Sequence, residues 1–419
     1  MTAQAGRLPA PVVDLDTLAV PDPARWPGLA DVPPFGTKAR AVAGILRSAA
    51  QRVGVRVDLP GRSIGSGPTM TLRRPEEFFA RVGRDGLIGF GESWMTGAWT
   101  ASDLVGVLSR FAGDLPRLVP RPLQAARRWY VRRQPAAEAN TTDGARENIA
   151  RHYDLSNDLF QVFLDESLSY SSALFAPGDD LHAAQLRKTD AILDAVGVTA
   201  GSRVLEIGSG WGTLAIRAAQ RGADVVTLTL SAEQQALANE RIRAAGVADQ
   251  VQVLLSDYRE VHGEYDAVVS VEMIEAVGEE YWPTYFQTID ALLAPGGRAA
   301  IQAILMDDDR VRTTRNTYTW MHKYIFPGGL IPSLTAIDRA LETTDGLEVV
   351  HKREFGLHYA ETLRRWRQAF LDKAEDVLRL GFDPTFLRMW EFYLAYSEAG
   401  FRARYIGVAQ LTLARGGPA

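Results

Sequence analysis

Val204-Leu205-Glu206-Ile207-Gly208-Ser209-Gly210-Trp211-Gly212 decides the fold. The apolar Val204, Leu205 and Ile207 read as the end of a buried strand. The alternate glycines read as a sharp turn into a helix that begins near Leu214. Glycine is needed where backbone must turn tightly and approach a ligand with no Cβ in the way. A lone Gly-x-Gly serves many strand–helix turns, and a dinucleotide site prefers Gly-x-Gly-x-x-Gly with pyrophosphate at the helix N-terminus. Here the spacing is Gly-x-Gly-x-Gly, with Glu206 just before it. A carboxylate facing the ligand repels phosphate and attracts the ammonium of a methionine moiety. The turn therefore points to S-adenosylmethionine, with Glu206, Gly208, Gly210 and Gly212 around it.

Working outward, 190–196 reads as a helix, 203–207 as a strand, 214–220 as a helix and 224–229 as a second strand. A helix over 232–245, strands over 251–255 and 265–271, a helix over 281–293 and a strand over 297–304 follow. Apolar strands alternating with helices indicate a parallel, doubly wound α/β sheet covered on both faces. Ligands of such sheets bind outside the carboxyl ends of the strands. Two further segments fall there. Asp257 and Tyr258 follow the third strand, where a carboxylate accepts from an adenine amino group and a ring stacks on the base. After the second strand no acid is present to hold ribose hydroxyls, so Thr229 and Gln234 take that place, although Ser231 and Gln234 also read as a helix-capping box.

At 419 residues the chain is expected to hold two domains. Residues 1–35, rich in proline, alanine and aspartate, read as a loosely held arm, and 36–115 as a small α+β domain. Within that domain, Gly89 to Trp99 is dense in glycine and aromatics and suggests a tight turn under a packed aromatic surface. The stretch 116–139 is a basic linker carrying Arg117, Arg121, Arg127, Arg128, Arg132 and Arg133 among Leu118, Trp129 and Tyr130. It is either a solvated helix or one lying on anionic headgroups, where each Lys/Arg contributes about 1 kcal/mol. The net charge of −5 argues against a nucleic-acid partner. The absence of cysteine excludes disulfides, thiolate catalysis and cysteine-held metals, and no metal site is expected. No apolar run approaches the ~20 residues of a membrane span, so the protein is expected in the cytoplasm, at most peripheral at the inner face of the membrane.

Taken with these pieces, His152 to Phe160, Leu168 to Phe175, Leu228 to Gln234, Ser256 to Arg259, Ser270 to Gly278, Lys323 to Gly329 and Phe401 to Arg404 resemble, in order, the cyclopropane-fatty-acid synthase and mycolic-acid methyltransferase family. The resemblance covers roughly 140–413, and Gly91-Glu92-Ser93-Trp94 looks like the N-terminal domain of longer, phospholipid-acting members. It implies a class I (Rossmann-like) methyltransferase with a mostly parallel seven-stranded sheet over 140–419, including lid helices from Glu147 to Leu164 and an acyl pocket. It implies methyl transfer from S-adenosylmethionine to a cis double bond of a membrane phospholipid acyl chain, with Tyr170 and Ser171 near the methionine part.

An alkene is a poor nucleophile, and its methylation leaves a carbocation. The site must be dry, hold the alkene in line and stabilise positive charge. A base then removes a proton. In cyclopropane synthases that base is bicarbonate, and carrying its cluster across gives Glu275, the Ile304 backbone, Tyr359, Ser172 in place of the family's cysteine and Gln302 in place of its histidine. Ala276 stands where a second histidine is common. Two products stand open: closure to a cyclopropane, or a 1,2-hydride shift followed by loss of a methyl proton to give an exocyclic methylene. The altered base cluster favours the 10-methylene product of the tuberculostearic acid branch, which a separate flavin- or NADPH-dependent reductase saturates. A small-molecule methyltransferase and a non-catalytic lipid-binding protein are the competing readings, and homo-oligomerisation is left open.

Overall fold

The computed structural model describes residues 21–113, 156–315 and 317–416. The basic linker, His152, Tyr153 and the start of the lid region lie outside them, as does most of the N-terminal arm.

Helix α1 (Thr37–Val53) leads into β1 (Arg56–Leu59), β2 (Arg62–Ile64) and β3 (Thr69–Leu72). Helices α2 (Pro75–Asp85) and α3 (Leu87–Met95), strand β4 (Trp99–Ala101) and helix α4 (Leu104–Gly113) complete this small unit. Its sheet runs β2-β1-β3-β4. The glycine-rich stretch expected as a turn is mostly helix α3. Its glycines serve close packing: a Cβ on Gly89 would lie 2.0 Å from the Arg81 carbonyl oxygen, and one on Gly91 2.4 Å from the Trp320 ring. The turn itself falls at Gly97, with φ of 72°.

The second sheet is fed by α5 (Asn157–Phe163), α6 (Leu181–Ala195), β5 (Arg203–Ile207), α7 (Thr213–Gln220), β6 (Asp224–Thr229), α8 (Ala232–Ala244), β7 (Val251–Leu255) and β8 (Tyr265–Val271). Then come α9 (Ile274–Val277), α10 (Trp282–Leu292), β9 (Leu293–Met306), α11 (Asp308–Thr314), α12 (Trp320–Tyr324), α13 (Leu334–Leu341) and β10 (Leu347–Glu354). Helices α14 (Gly356–Asp372), α15 (Ala374–Arg379) and α16 (Pro384–Arg402) precede β11 (Ile406–Arg415). The seven strands lie in the order β10-β11-β9-β8-β5-β6-β7. Strands β5 to β9 pair parallel, and β11 runs antiparallel between β9 and β10. Alternation along β5 sends Leu205 and Ile207 into a core with α10 and α13, and Val204 into one with α6, α7 and α8. The chain leaves β5 toward β6 on one side and returns to β8 on the other. That reversal opens a crevice at the carboxyl ends of β5 and β8.

The small unit docks on α12 and α16. The buried Arg388 donates to the carbonyls of Trp94 (2.6 Å) and Trp99 (3.1 Å), and the Trp94 indole donates to the Arg388 carbonyl (3.0 Å). Buried Glu92 pairs with Lys323 and accepts from the Tyr324 hydroxyl at 3.0 Å. One apolar core runs continuously from β1 and β3 through Trp99 to Trp366 and Trp390.

Candidate active site

A cavity opens at that crevice, walled by the ends of β5, β6, β7 and β8 and by the segment 168–171. Of the residues expected around S-adenosylmethionine, Tyr170, Ser171, Glu206, Gly208, Gly210, Thr229, Gln234, Asp257 and Tyr258 line it. Gly208 (φ 97°) and Gly210 (φ 49°) hold left-handed backbone, and a Cβ on Gly208 would come 2.7 Å from the Met273 side chain. Gly212 lies behind the wall as the N-cap of α7, where a Cβ would press on Ala238 of α8 at 3.3 Å, so its glycine serves helix packing.

Charge and hydrogen bonding on this wall fit a cationic, adenine-bearing ligand. Glu206, Asp257 and Glu272 put three carboxylates on it. Burial pushes the Glu206 carboxyl up to about 8, against the Thr227 hydroxyl that donates to it at 2.6 Å. A cationic ammonium beside it would restore the charged form. Lys188, which the sequence reading passed over, is buried here, and its amine donates to the Ser171 hydroxyl at 2.8 Å. Burial lowers this amine to about 8 against the nearby charges of Glu272, Asp165 and Glu206. The Tyr258 hydroxyl is buried with no hydrogen-bond partner among the described residues. Asp257 is held by Arg259, whose Nε and terminal nitrogen donate to its two oxygens at 2.8 and 2.7 Å. Thr229 donates to the Gln234 side chain at 2.9 Å, and the Ser231 hydroxyl accepts from the Gln234 N–H at 3.2 Å, so the capping geometry coexists with a place on the cavity wall.

The base cluster is centred on a residue that the sequence reading did not single out. Strand β8 ends at Val271, so the acid at its carboxyl end is Glu272, while Glu275 sits in α9. The Ser172 N–H (2.9 Å) and the Gln302 side-chain amide (2.8 Å) donate to one oxygen of Glu272, and the Tyr359 hydroxyl (2.6 Å) donates to the other. These donors are fully engaged. The second amide hydrogen of Gln302 goes to the Ser172 carbonyl (3.3 Å), and its oxygen accepts from Gln410 at 3.2 Å. Three of the residues expected to surround a bicarbonate ion thus converge on a protein carboxylate, while the Ile304 N–H goes to Glu275. A second anion beside it would meet the like charge of that carboxylate. Glu272 is half-buried on the cavity wall and has φ of 53°. For a residue other than glycine that conformation costs about 1–3 kcal/mol.

Glu275 makes a different contact, accepting the Ile304 N–H at 2.5 Å, with its second oxygen unpartnered among the described residues. Burial, and then repulsion from Glu272, push its carboxyl up to about 8. Burial also raises Glu272, but its three donors and the Lys188 charge favour the ionised form. The three donors around Glu272 thus favour its ionised form more than the single N–H at Glu275 does. The neighbouring rings suit a cationic intermediate: Tyr170 stacks on Trp366 with centroids 5.3 Å apart, and Tyr359 lies 4.5 Å from Phe401. The Tyr170 and Tyr393 hydroxyls share a 2.7 Å hydrogen bond.

Residues 140–411 match the family described as mycolic acid cyclopropane synthetase. The chain is 48% identical, over 100% of both proteins, to the tuberculostearic acid methyltransferase UfaA1 of Mycobacterium tuberculosis. It is 35% identical to the cyclopropane-fatty-acyl-phospholipid synthase of Escherichia coli, over 84% of this chain and 89% of that protein. A solved structure of the mycolic acid cyclopropane synthase CmaA1, complexed with SAH and CTAB, superposes with a TM-score of 0.60 at 27% identity, over 67% of this chain and 98% of that one.

Proposed function

This chain belongs to the mycolic acid cyclopropane synthetase family and is an S-adenosylmethionine-dependent C-methyltransferase acting on fatty acyl chains, and from that premise we propose that its acceptor is the cis double bond of an oleoyl-type chain esterified in a phospholipid and that its product carries a 10-methylene group. The observation that carries the product is the full-length similarity to a methyltransferase named for tuberculostearic acid. The departures of the base cluster support it: Gln302 and Ala276 stand where histidines are expected, and Glu272 fills the centre. Similarity to a phospholipid synthase over 84% of the chain supports the esterified acceptor.

When bound, S-adenosylmethionine supplies the methyl group from its sulfonium. The chain's own residues then have three tasks. The glycine turn and Glu206 hold the donor, and the ring shell around Tyr170, Tyr359 and Trp366 keeps water from the cation on the acyl chain. The carboxylate at the β8 end stands ready for the departing proton. A 1,2-hydride shift moves the positive charge to the methyl-bearing carbon, and loss of a methyl proton there leaves the exocyclic methylene. Saturating it takes two electrons from a separate flavin- or NADPH-dependent enzyme. No helix among the described residues is long and apolar enough to cross a membrane. The arginine-rich composition of 116–133 supports a protein that works at the inner membrane surface.

The test is incubation of the protein with methyl-labelled S-adenosylmethionine and oleoyl-phospholipid vesicles, followed by ozonolysis and mass spectrometry of the lipid. A methylene product yields a mid-chain ketone. A cyclopropane survives uncleaved, and its appearance would exclude the methylene reading.

A further inference from the structure

We infer that the Glu272 carboxylate is itself the base that takes the proton from the methylated acyl chain, standing where a bicarbonate ion would otherwise be held. The inference rests on methyl transfer to an acyl double bond as read above, and is independent of which product follows. Three observations carry it. The Ser172 N–H, the Gln302 amide and the Tyr359 hydroxyl all donate to this carboxylate, at 2.9, 2.8 and 2.6 Å. A carboxylate offers about four lone-pair sites, so three donors fix its orientation and leave one site for an incoming proton. Glu272 is on the wall of the cofactor cavity, next to the donor's place. Its backbone is held left-handed at φ 53°, where glycine would sit without strain. Glu275, by contrast, is directed to the Ile304 N–H.

The step balances without an external anion. Methyl transfer leaves a carbocation on the acyl chain and a neutral thioether on the departing donor. One oxygen of Glu272 takes a proton from the transferred methyl group. The released C–H electron pair becomes the third bond of a cyclopropane or, after the hydride shift, the second bond of a methylene. Glu272, now a neutral acid, returns its proton to water before the next turnover.

The experiment uses the full chain, methyl-labelled S-adenosylmethionine and oleoyl-phospholipid vesicles in buffer stripped of carbon dioxide, with and without added bicarbonate. Wild-type label incorporation is expected to be indifferent to bicarbonate. Glu272→Gly, which removes the carboxylate and relaxes the backbone, is expected to lose about 10²-fold or more in turnover. It is expected to recover on addition of bicarbonate or formate, which fit among the three freed donors. Calorimetric binding of the demethylated cofactor product reports that the variant is folded. In ¹³C NMR, labelled bicarbonate is expected to broaden with Glu272→Gly and not with wild type. Wild-type activity that disappears on stripping and returns with bicarbonate would overturn the inference, as would bicarbonate binding by the wild type or full turnover of Glu272→Gly without an anion. Wild-type vesicles that take up no label would count against the phospholipid acceptor alone, because the bicarbonate-binding measurement still decides the base.

Discussion

The two walls of the cavity are built in opposite ways. The cofactor wall comes from successive strand-to-loop turns: Glu206 to Gly210 after β5, Thr229 to Gln234 after β6, and Asp257 and Tyr258 after β7. Each turn carries its function in a handful of adjacent residues. The base wall draws its donors from remote segments, with Ser172, Tyr359 and Gln302 lying 100, 87 and 30 residues from Glu272 along the chain. A contiguous turn announces itself by spacing. A centre assembled from four segments is defined only once the sheet places them together.

Two substitutions test this division, and the larger effect belongs to the base wall. Glu272→Gln keeps shape and removes the proton acceptor. It is expected to lower kcat by about 10²–10⁴-fold while binding of the demethylated cofactor stays near wild type. Gly208→Ala acts on the other wall, adding a Cβ 2.7 Å from Met273 at a φ of 97°. The expected result is an affinity for S-adenosylmethionine weakened by about tenfold, with turnover at saturating donor largely kept. Steady-state kinetics with calorimetry separate the two. Should Glu272→Gln raise KM for the donor and spare kcat, the walls are not functionally distinct.

The same division explains what the sequence revealed. The parallel sheet and the donor turn were legible because apolar strands such as Val204 to Ile207 and the alternate glycines obey local rules. The glycines of α3 misled, because the reason for Gly91 is the Trp320 ring more than 220 residues away. Glu272 was missed although its signal was present: an acid immediately after β8, the position from which a side chain enters the crevice. The family pattern drew attention to Glu275, three residues later, and only the folded chain shows three donors meeting at Glu272.

Tyr359→Phe sharpens the base wall from another side. The hydroxyl donates to Glu272 at 2.6 Å, and this bond lowers a carboxyl that burial raises. The base acts ionised, so turnover falls as pH falls through its pKa. Removing the donor raises that pKa further, and the acidic limb of the kcat profile moves to higher pH. Glu275 and Lys188, each at about 8, titrate beside it, and the buried Tyr359 itself stays neutral. On the acidic limb the loss is expected to be about tenfold for each unit by which the pKa rises, shrinking as pH rises. An acidic limb that stays in place would mean that a different group controls it.

The smallest effect is expected at Ser172, where the reason lies in the backbone. This serine replaces the cysteine of the family pattern, yet what it gives Glu272 is its N–H. Its hydroxyl donates instead to the Ala173 carbonyl at 3.1 Å, fully buried and directed away from the carboxylate. Ser172→Ala and Ser172→Cys should therefore leave kcat within about twofold, with a stability cost of about 1 kcal/mol for the lost hydrogen bond in the alanine variant. Thermal unfolding measures the second quantity and label incorporation the first. A large loss of turnover in both variants would place the serine hydroxyl in the chemistry and move the base wall one step closer to the local, sequence-readable kind.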